Sequence, residues 1–137
     1  MQKGIQGVIC DWAGTMVDFG SLSPVAAFQK AFECYDFDVS LDEIRRFMGM
    51  LKIDQTRAIL AQAKERFHEQ FGHYPTEKEV KDIYEYFETA LFESLIQYSK
   101  PIRGAVSFAT TLKERKIKLG STTGYTNAMM EIVTQEA

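Results

Sequence analysis

An aspartate placed directly after a short apolar run is the first residue in this chain that invites chemistry. Ile5-Gln6-Gly7-Val8-Ile9-Cys10 leads into Asp11-Trp12-Ala13-Gly14-Thr15. In open α/β sheets ligands bind beyond the carboxyl ends of the strands, so a carboxylate there stands where reactions are usually housed. The glycine-containing turn behind it offers backbone N–H groups to a phosphoryl group without a side-chain barrier. The plainer alternative is an aspartate that only caps a loop.

A second candidate is Lys52, in the segment Met48-Gly49-Met50-Leu51-Lys52. It sits among apolar residues at the start of a helix, where desolvation and the helix dipole both disfavour an ammonium. An amine with a lowered pKa is nucleophilic near neutral pH and suited to imine formation. An exposed lysine opening a surface helix is the alternative. The third segment, Leu119-Gly120-Ser121-Thr122-Thr123-Gly124-Tyr125-Thr126, sets hydroxyls and backbone N–H groups between a strand end and a helix N-terminus. That arrangement suits phosphate oxygens, and it also describes an ordinary capped β-to-α turn. Thr123 and Gly124 are the phosphate candidates, with Thr122 and Ser121 as neighbours.

These residues need elements to hold them. Residues 5–10 read as a short, largely buried strand, and residues 117–121 as a second. Ser23-Pro24 supplies a helix start, by cap oxygen and fixed proline φ. Val25, Phe28, Phe32 and Tyr35 continue that helix. Ser40-x-x-Glu43 and Thr76-x-x-Glu79 are capping-box patterns, the first opening a short helix through Met48 that Gly49 closes. One long helix is expected from about Ile53 to Phe71, ended by Gly72. Val80, Ile83, Tyr84, Phe87, Leu91 and Leu95 form the apolar stripe of another, read as packing. Pro101 and Gly104 break the chain before a helix to about Lys116, and Thr126 caps a final one.

The expected architecture is therefore α/β: a partial Rossmann-like core of two candidate strands, with an inserted all-helical cap domain. Residues 1–20 and 100–137 form the core and residues 21–99 the cap. Two parallel strands are too few to make a stable doubly wound sheet. The chain also stops within a helical pattern, which reads as a truncation.

The 137 residues carry a formal net charge of −3, which gives no reason to expect nucleic acid or an anionic membrane as partner. No apolar run approaches the roughly 20 residues that cross a bilayer. Cys10 and Cys34 read as buried free thiols in a reducing compartment, so a cytoplasmic location is expected. His68 and His73 lack partners at ligand spacing and read as surface residues.

Asp-Trp-Ala-Gly-Thr resembles the first motif of the haloacid-dehalogenase phosphotransferases, Asp-x-Asp-Gly-Thr, except that Ala13 replaces the second acid. An enzyme whose leaving group is carbon, held as an enamine, has less need of that acid than one releasing an alkoxide. At this position, at Met-Gly-x-Leu-Lys and at the Ser-Thr-Thr-Gly-Tyr-Thr segment, the chain is similar to the phosphonoacetaldehyde hydrolases, over about half of their length. The resemblance implies that Asp11 attacks phosphorus and binds Mg²⁺, that the Ala13 carbonyl is a second metal ligand, and that Lys52 forms the Schiff base with Met48 close by. It also implies a homodimer joined through the caps, for which the aromatic-rich 77–98 helix is available. The substrate would be a small-molecule phosphonate, cleaved to acetaldehyde and phosphate.

Two departures stand out. Relatives carry a histidine just beyond the imine lysine and a cysteine shortly after the first motif, where this chain has Gln55 and Ser21. The basic third motif and the acidic fourth motif of the family lie beyond the matched half, so this chain alone is expected to be inactive. The competing readings are a phosphatase or phosphomutase of the same superfamily, against which Ala13 argues, and a non-enzymatic module that dimerises through its cap.

Overall fold

The computed structural model describes residues 4–19 and 21–137; Met1 to Lys3 and Gly20 lie outside the described residues. Strand β1 (Gly7–Asp11) pairs in parallel with β2 (Lys118–Thr122), in a register that sets Gly7 against Lys118 and Asp11 against Thr122. Between them come α1 (Leu22–Cys34), α2 (Leu41–Arg45), α3 (Lys52–Gln62), α4 (Lys64–Phe71), α5 (Glu77–Tyr98) and α6 (Ala105–Glu114). Helix α7 (Asn127–Glu136) follows β2. The α/β class is as expected, a two-stranded parallel sheet with helices inserted between its strands.

The helices form where local chemistry and apolar spacing agree. Ser40 and Thr76 each accept the backbone N–H of the glutamate three residues on, and each glutamate returns the bond to the cap residue's own N–H. Both expected capping boxes are present. Thr126 accepts the Met129 N–H at 3.4 Å and caps α7, as expected.

Helix α1 packs chiefly on α5. Phe28 and Phe87 are fully buried at that seam, their ring centres 4.0 Å apart. Ile83, Leu91 and Leu95 of the predicted stripe are buried with them. Aromatic contacts of this kind add about 0.5–1.5 kcal/mol beyond simple burial. Met129 and Val133 of α7 reach the same core, so the last helix is anchored against the helices inserted between the strands.

Five expectations are corrected. The helix drawn from Ile53 to Phe71 is two helices, broken at Ala63, whose ψ of 15° leaves the helical range. The apolar face nevertheless runs on across the break, with Leu60, Ala63 and Phe67 all buried. The short helix expected to reach Met48 ends at Arg45 and continues as turns.

Ser23 does not cap α1. The helix starts at Leu22, and the Asp18 carboxylate accepts the N–H groups of Leu22 (2.9 Å) and Ser23 (2.8 Å). A carboxylate has two oxygens for two unpaired N–H groups, which one hydroxyl cannot match. Ser23 is buried instead, its hydroxyl 3.0 Å from that of Ser94 on α5.

Nor is β1 largely buried: Ile9 is 76% exposed, and every residue of β2 is exposed. A parallel sheet is buried when helices cover both of its faces, and among the described residues these two strands lack that cover. Both cysteines are free thiols, as expected, but their expected burial fails with it. Cys10, on β1, is half-buried, and Cys34, at the solvent-facing end of α1, is exposed.

The two passages between strands and inserted helices run side by side. Val17 and Pro101 form an antiparallel bridge, flanked by Asp18 N–H donating to the Lys100 carbonyl (3.1 Å) and Ile102 N–H to that of Met16 (2.8 Å). Proline has no N–H to give, so its neighbours carry the pairing.

Candidate active site

Asp11 is the last residue of β1, and the chain turns at once behind it. The Trp12 carbonyl accepts the N–H groups of Thr15 and Met16, and Gly14 N–H donates to Val17 at 2.8 Å. Gly14 has φ 81°, a left-handed conformation that residues with a Cβ rarely adopt. A Cβ there would also collide with the Ser21 hydroxyl. The turn is thus built tightly against the entry to α1, which brings Ser21 to the side of the site.

Lys52 opens α3, as predicted. It is 5% exposed, and burial lowers its pKa to about 8, the opposing pull of the Asp11 charge being the smaller effect. Its Nζ donates to the Gln55 side-chain oxygen at 3.1 Å and lies 5.7 Å from the centre of the Tyr125 ring. Tyr125 is itself buried, and burial, reinforced by the Asp18 and Asp11 charges, raises its phenol so that it stays neutral.

These residues meet at a cavity of about 150 Å³. The sheet side contributes Asp11 and Ala13, together with Thr123, Gly124 and Tyr125 from the loop after β2. The helical side contributes Ser21, Met48, Gly49 and Lys52. So Asp11, Ala13, Met48, Lys52, Thr123 and Gly124, expected separately from three segments, line one small space. Thr122 does not line it; it ends β2 in register with Asp11 and is exposed. Other surface hollows, such as that between Phe37 and Arg66, are larger but hold no comparable set of reactive groups.

Gly124 has a steric role that the sequence did not reveal. A Cβ on it would overlap the carbonyl of Met50, so the loop before α3 rests directly on the loop after β2. Tyr125 and Gln55 were also missed as site residues. Tyr125 lies within the expected phosphate segment, one position after Gly124, and Gln55 stood out only as the place where relatives carry a histidine.

The donors at the mouth of the site suit a hard cation. The Asp11 carboxylate and the Ala13 carbonyl are oxygen ligands, and Mg²⁺ is commonly held by one or two carboxylates with water and substrate phosphate completing its shell. Among the described residues no group of three or more His, Cys, Asp or Glu side chains is gathered for a metal. These donors therefore fit a metal shared with a phosphoryl ligand, not a closed protein cage. No helix among the described residues is long and apolar enough to cross a membrane.

Comparison with known proteins agrees with this geometry. Over 135 residues, covering 97% of the chain, the sequence is 44% identical to a phosphonoacetaldehyde hydrolase of Bacillus cereus. It is 43% identical to that of Bacillus anthracis over the same span. The chain spans about half the length of these curated relatives, 51% in each case. A crystal structure of a phosphonoacetaldehyde hydrolase-like protein from Oleispira antarctica superposes with a TM-score of 0.86 at 31% identity, covering 97% of this chain and 51% of that one. A family profile described as haloacid dehalogenase-like hydrolase matches residues 8–136. With Asp11 and its turn, the inserted helices and the loop after β2 all inside that match, the chain belongs to the haloacid dehalogenase-like hydrolases.

Proposed function

We propose that this chain carries the nucleophile and imine part of a phosphonoacetaldehyde hydrolase site, acting on the carbon–phosphorus bond of phosphonoacetaldehyde. The observation that supports it best is a buried amine, Lys52, facing a β-strand aspartate, Asp11, across a cavity of about 150 Å³. A phosphatase does not need an imine-forming amine. An enzyme that must leave an electron pair on carbon does, because an iminium accepts it.

In this reading Lys52 adds to the aldehyde carbon and water is lost, giving an imine that is protonated at nitrogen. A pKa near 8 leaves roughly a tenth of the amine neutral at pH 7, against a few parts in ten thousand for an ordinary lysine. The Asp11 carboxylate attacks phosphorus in line, the carbon–phosphorus pair moves into the iminium as an enamine, and an aspartyl-phosphate forms. Protonation of the enamine at carbon gives the imine of acetaldehyde, and hydrolysis of the acyl phosphate and of that imine releases phosphate and acetaldehyde. Each covalent step replaces one high barrier by lower ones. Thr123 and Gly124 face the phosphoryl oxygens, and Met48 lines the imine side. Bound Mg²⁺, held by Asp11 and the Ala13 carbonyl, would supply charge neutralisation between carboxylate and phosphoryl group. Ala13 itself offers no acid, consistent with a leaving group that is carbon.

By the same resemblance the remaining phosphate and metal ligands belong to the half of the relatives that is not matched, and turnover by this chain alone is expected to be absent. Self-association through the inserted helices is proposed on the same footing. The test is borohydride reduction in the presence of phosphonoacetaldehyde, followed by peptide mapping. Label on Lys52, lost in Lys52→Ala, supports the reading. An active longer form that cannot be trapped at Lys52 points to a phosphatase of the same superfamily.

A further inference from the structure

Gln55 is completely buried one turn along α3 from Lys52. A buried amide is costly unless its hydrogen bonds are made, and here they are made in one arrangement only. Its Nε2 donates to the Ile44 carbonyl at 3.0 Å and lies 3.2 Å from the Met48 sulfur. Its Oε1 accepts from Lys52 Nζ at 3.1 Å. Exchanging the amide's oxygen and nitrogen would set Nε2 against the Lys52 amine, two donors, and Oε1 against the Ile44 carbonyl, two acceptors. The network thus fixes which end faces the lysine.

Ile44 and Met48 lie before α3, on α2 and the turn that follows it, so the amide is held by a different segment from the one that carries Lys52. Its oxygen is a rigid acceptor, and it is neutral at every pH. We infer that Gln55 is a positioning residue for Lys52: by holding one N–H of the amine it turns the nitrogen's lone pair toward the cavity. The inference rests on the imine reading above. After condensation the protonated imine keeps one N–H on the same nitrogen, and the same oxygen can accept it, so one acceptor serves the amine and the iminium without adding charge. A side chain present only to fill space in this core would carry no polar atom, and one present only to bond the Ile44 carbonyl would have no need to reach Lys52.

The test uses the 137-residue chain and needs no turnover. The unaltered chain, Gln55→Met and Gln55→Glu are treated with acetaldehyde and cyanoborohydride. Condensation with loss of water gives the imine, and hydride from the reductant converts it to an ethylamine that peptide mass spectrometry locates. The rate is compared on its plateau well above the Lys52 midpoint, where the amine is neutral in each variant. The other ionisable groups facing Lys52, Asp11 on β1 and Tyr125 after β2, are unchanged throughout.

Methionine matches the length of glutamine and removes the acceptor. Its plateau rate at Lys52 is expected to fall roughly fivefold to tenfold, the factor corresponding to one hydrogen bond's net strength, with other lysines unaffected. Glutamate keeps an oxygen toward Lys52 while giving up the donor to the Ile44 carbonyl, so in the folded variant its plateau is retained while its pH midpoint moves upward. An unchanged plateau in folded Gln55→Met, or loss of the plateau in Gln55→Glu, overturns the inference. Should Gln55→Met not fold, Gln55→Glu alone decides by the same criterion. Failure of the unaltered chain to label Lys52 in preference to its other lysines would instead remove the imine reading on which the inference stands.

Discussion

The ammonium of Lys52 stands 5.7 Å from the centre of the Tyr125 ring, joining the first turn of α3 to the loop that follows β2. The face of an aromatic ring attracts a cation, so Tyr125 favours the charged form of Lys52 against the desolvation that disfavours it. Tyr125→Leu is therefore expected to lower the midpoint for reductive alkylation of Lys52 below its present value of about 8. Tyr125→Phe keeps the ring and is expected to leave the midpoint in place. Asp11→Asn acts in the same direction as the leucine, because it removes a negative charge that raises the Lys52 pKa.

A second expectation concerns stability. The buried Lys52 amine costs folding energy whenever it is charged. Lys52→Met is expected to stabilise the chain near neutral pH by on the order of 1–3 kcal/mol, read from urea unfolding. The unfolded chain titrates near 10.5 and the folded one near 8. Well below pH 8 both states carry the proton and the folded state bears the full cost. Between the two values the unfolded chain binds more protons, so stability of the unaltered protein rises with pH and the gap to Lys52→Met closes.

Gly124→Ala tests the seat of the helical segment on the sheet side. The added methyl meets the Met50 carbonyl, which is backbone and cannot rotate away. A loss of about 1–3 kcal/mol in unfolding experiments is expected, the range for overpacking a tight contact, together with slower labelling of Lys52 as the two loops part.

Asp18→Ala removes both acceptors for the first turn of α1 and is expected to cost about 1–2 kcal/mol, as loss of a helix cap does. Burial raises the Asp18 pKa, the bonds from Ser23 and Leu22 opposing that rise. The folded carboxyl thus binds its proton at a higher pH than the unfolded one, and the unaltered chain gains stability relative to Asp18→Ala as pH falls through that range. The stability difference between the unaltered chain and Asp18→Ala should therefore widen in acid, as measured by unfolding at a series of pH values.

What the sequence disclosed depended on how local the cause was. The starts at Ser40, Thr76 and Thr126 were legible because cap and partner lie three residues apart. The cap at Asp18 was not, because it reaches forward through a turn in which Asp18 itself takes φ 54°. The break at Ala63 has no local sign, alanine being the best of helix formers. Asp11 was suggested by its place after a strand, and Lys52 chiefly by the resemblance of Met-Gly-x-Leu-Lys to a family motif. Tyr125 and Gln55 were not suggested as site residues, since a tyrosine after a glycine and a glutamine on a helix acquire meaning only from what the fold sets beside them. The exposure of Ile9 and Leu119 shows the remaining limit. An apolar strand states that it wants cover, and says nothing of whether cover is at hand.

The paired passages at Val17 and Pro101 carry a mechanical consequence. Two separate strings would let the helices drift and swivel over the sheet. Bonded edge to edge, they make a flat ribbon, which bends readily across its face and resists shear and twist within its plane. A hinge of that kind would confine Lys52 to one arc over Asp11. The register of amine and carboxylate is tied to a strap that also joins the turn behind Asp11, through the Ala13–Val17 bridge.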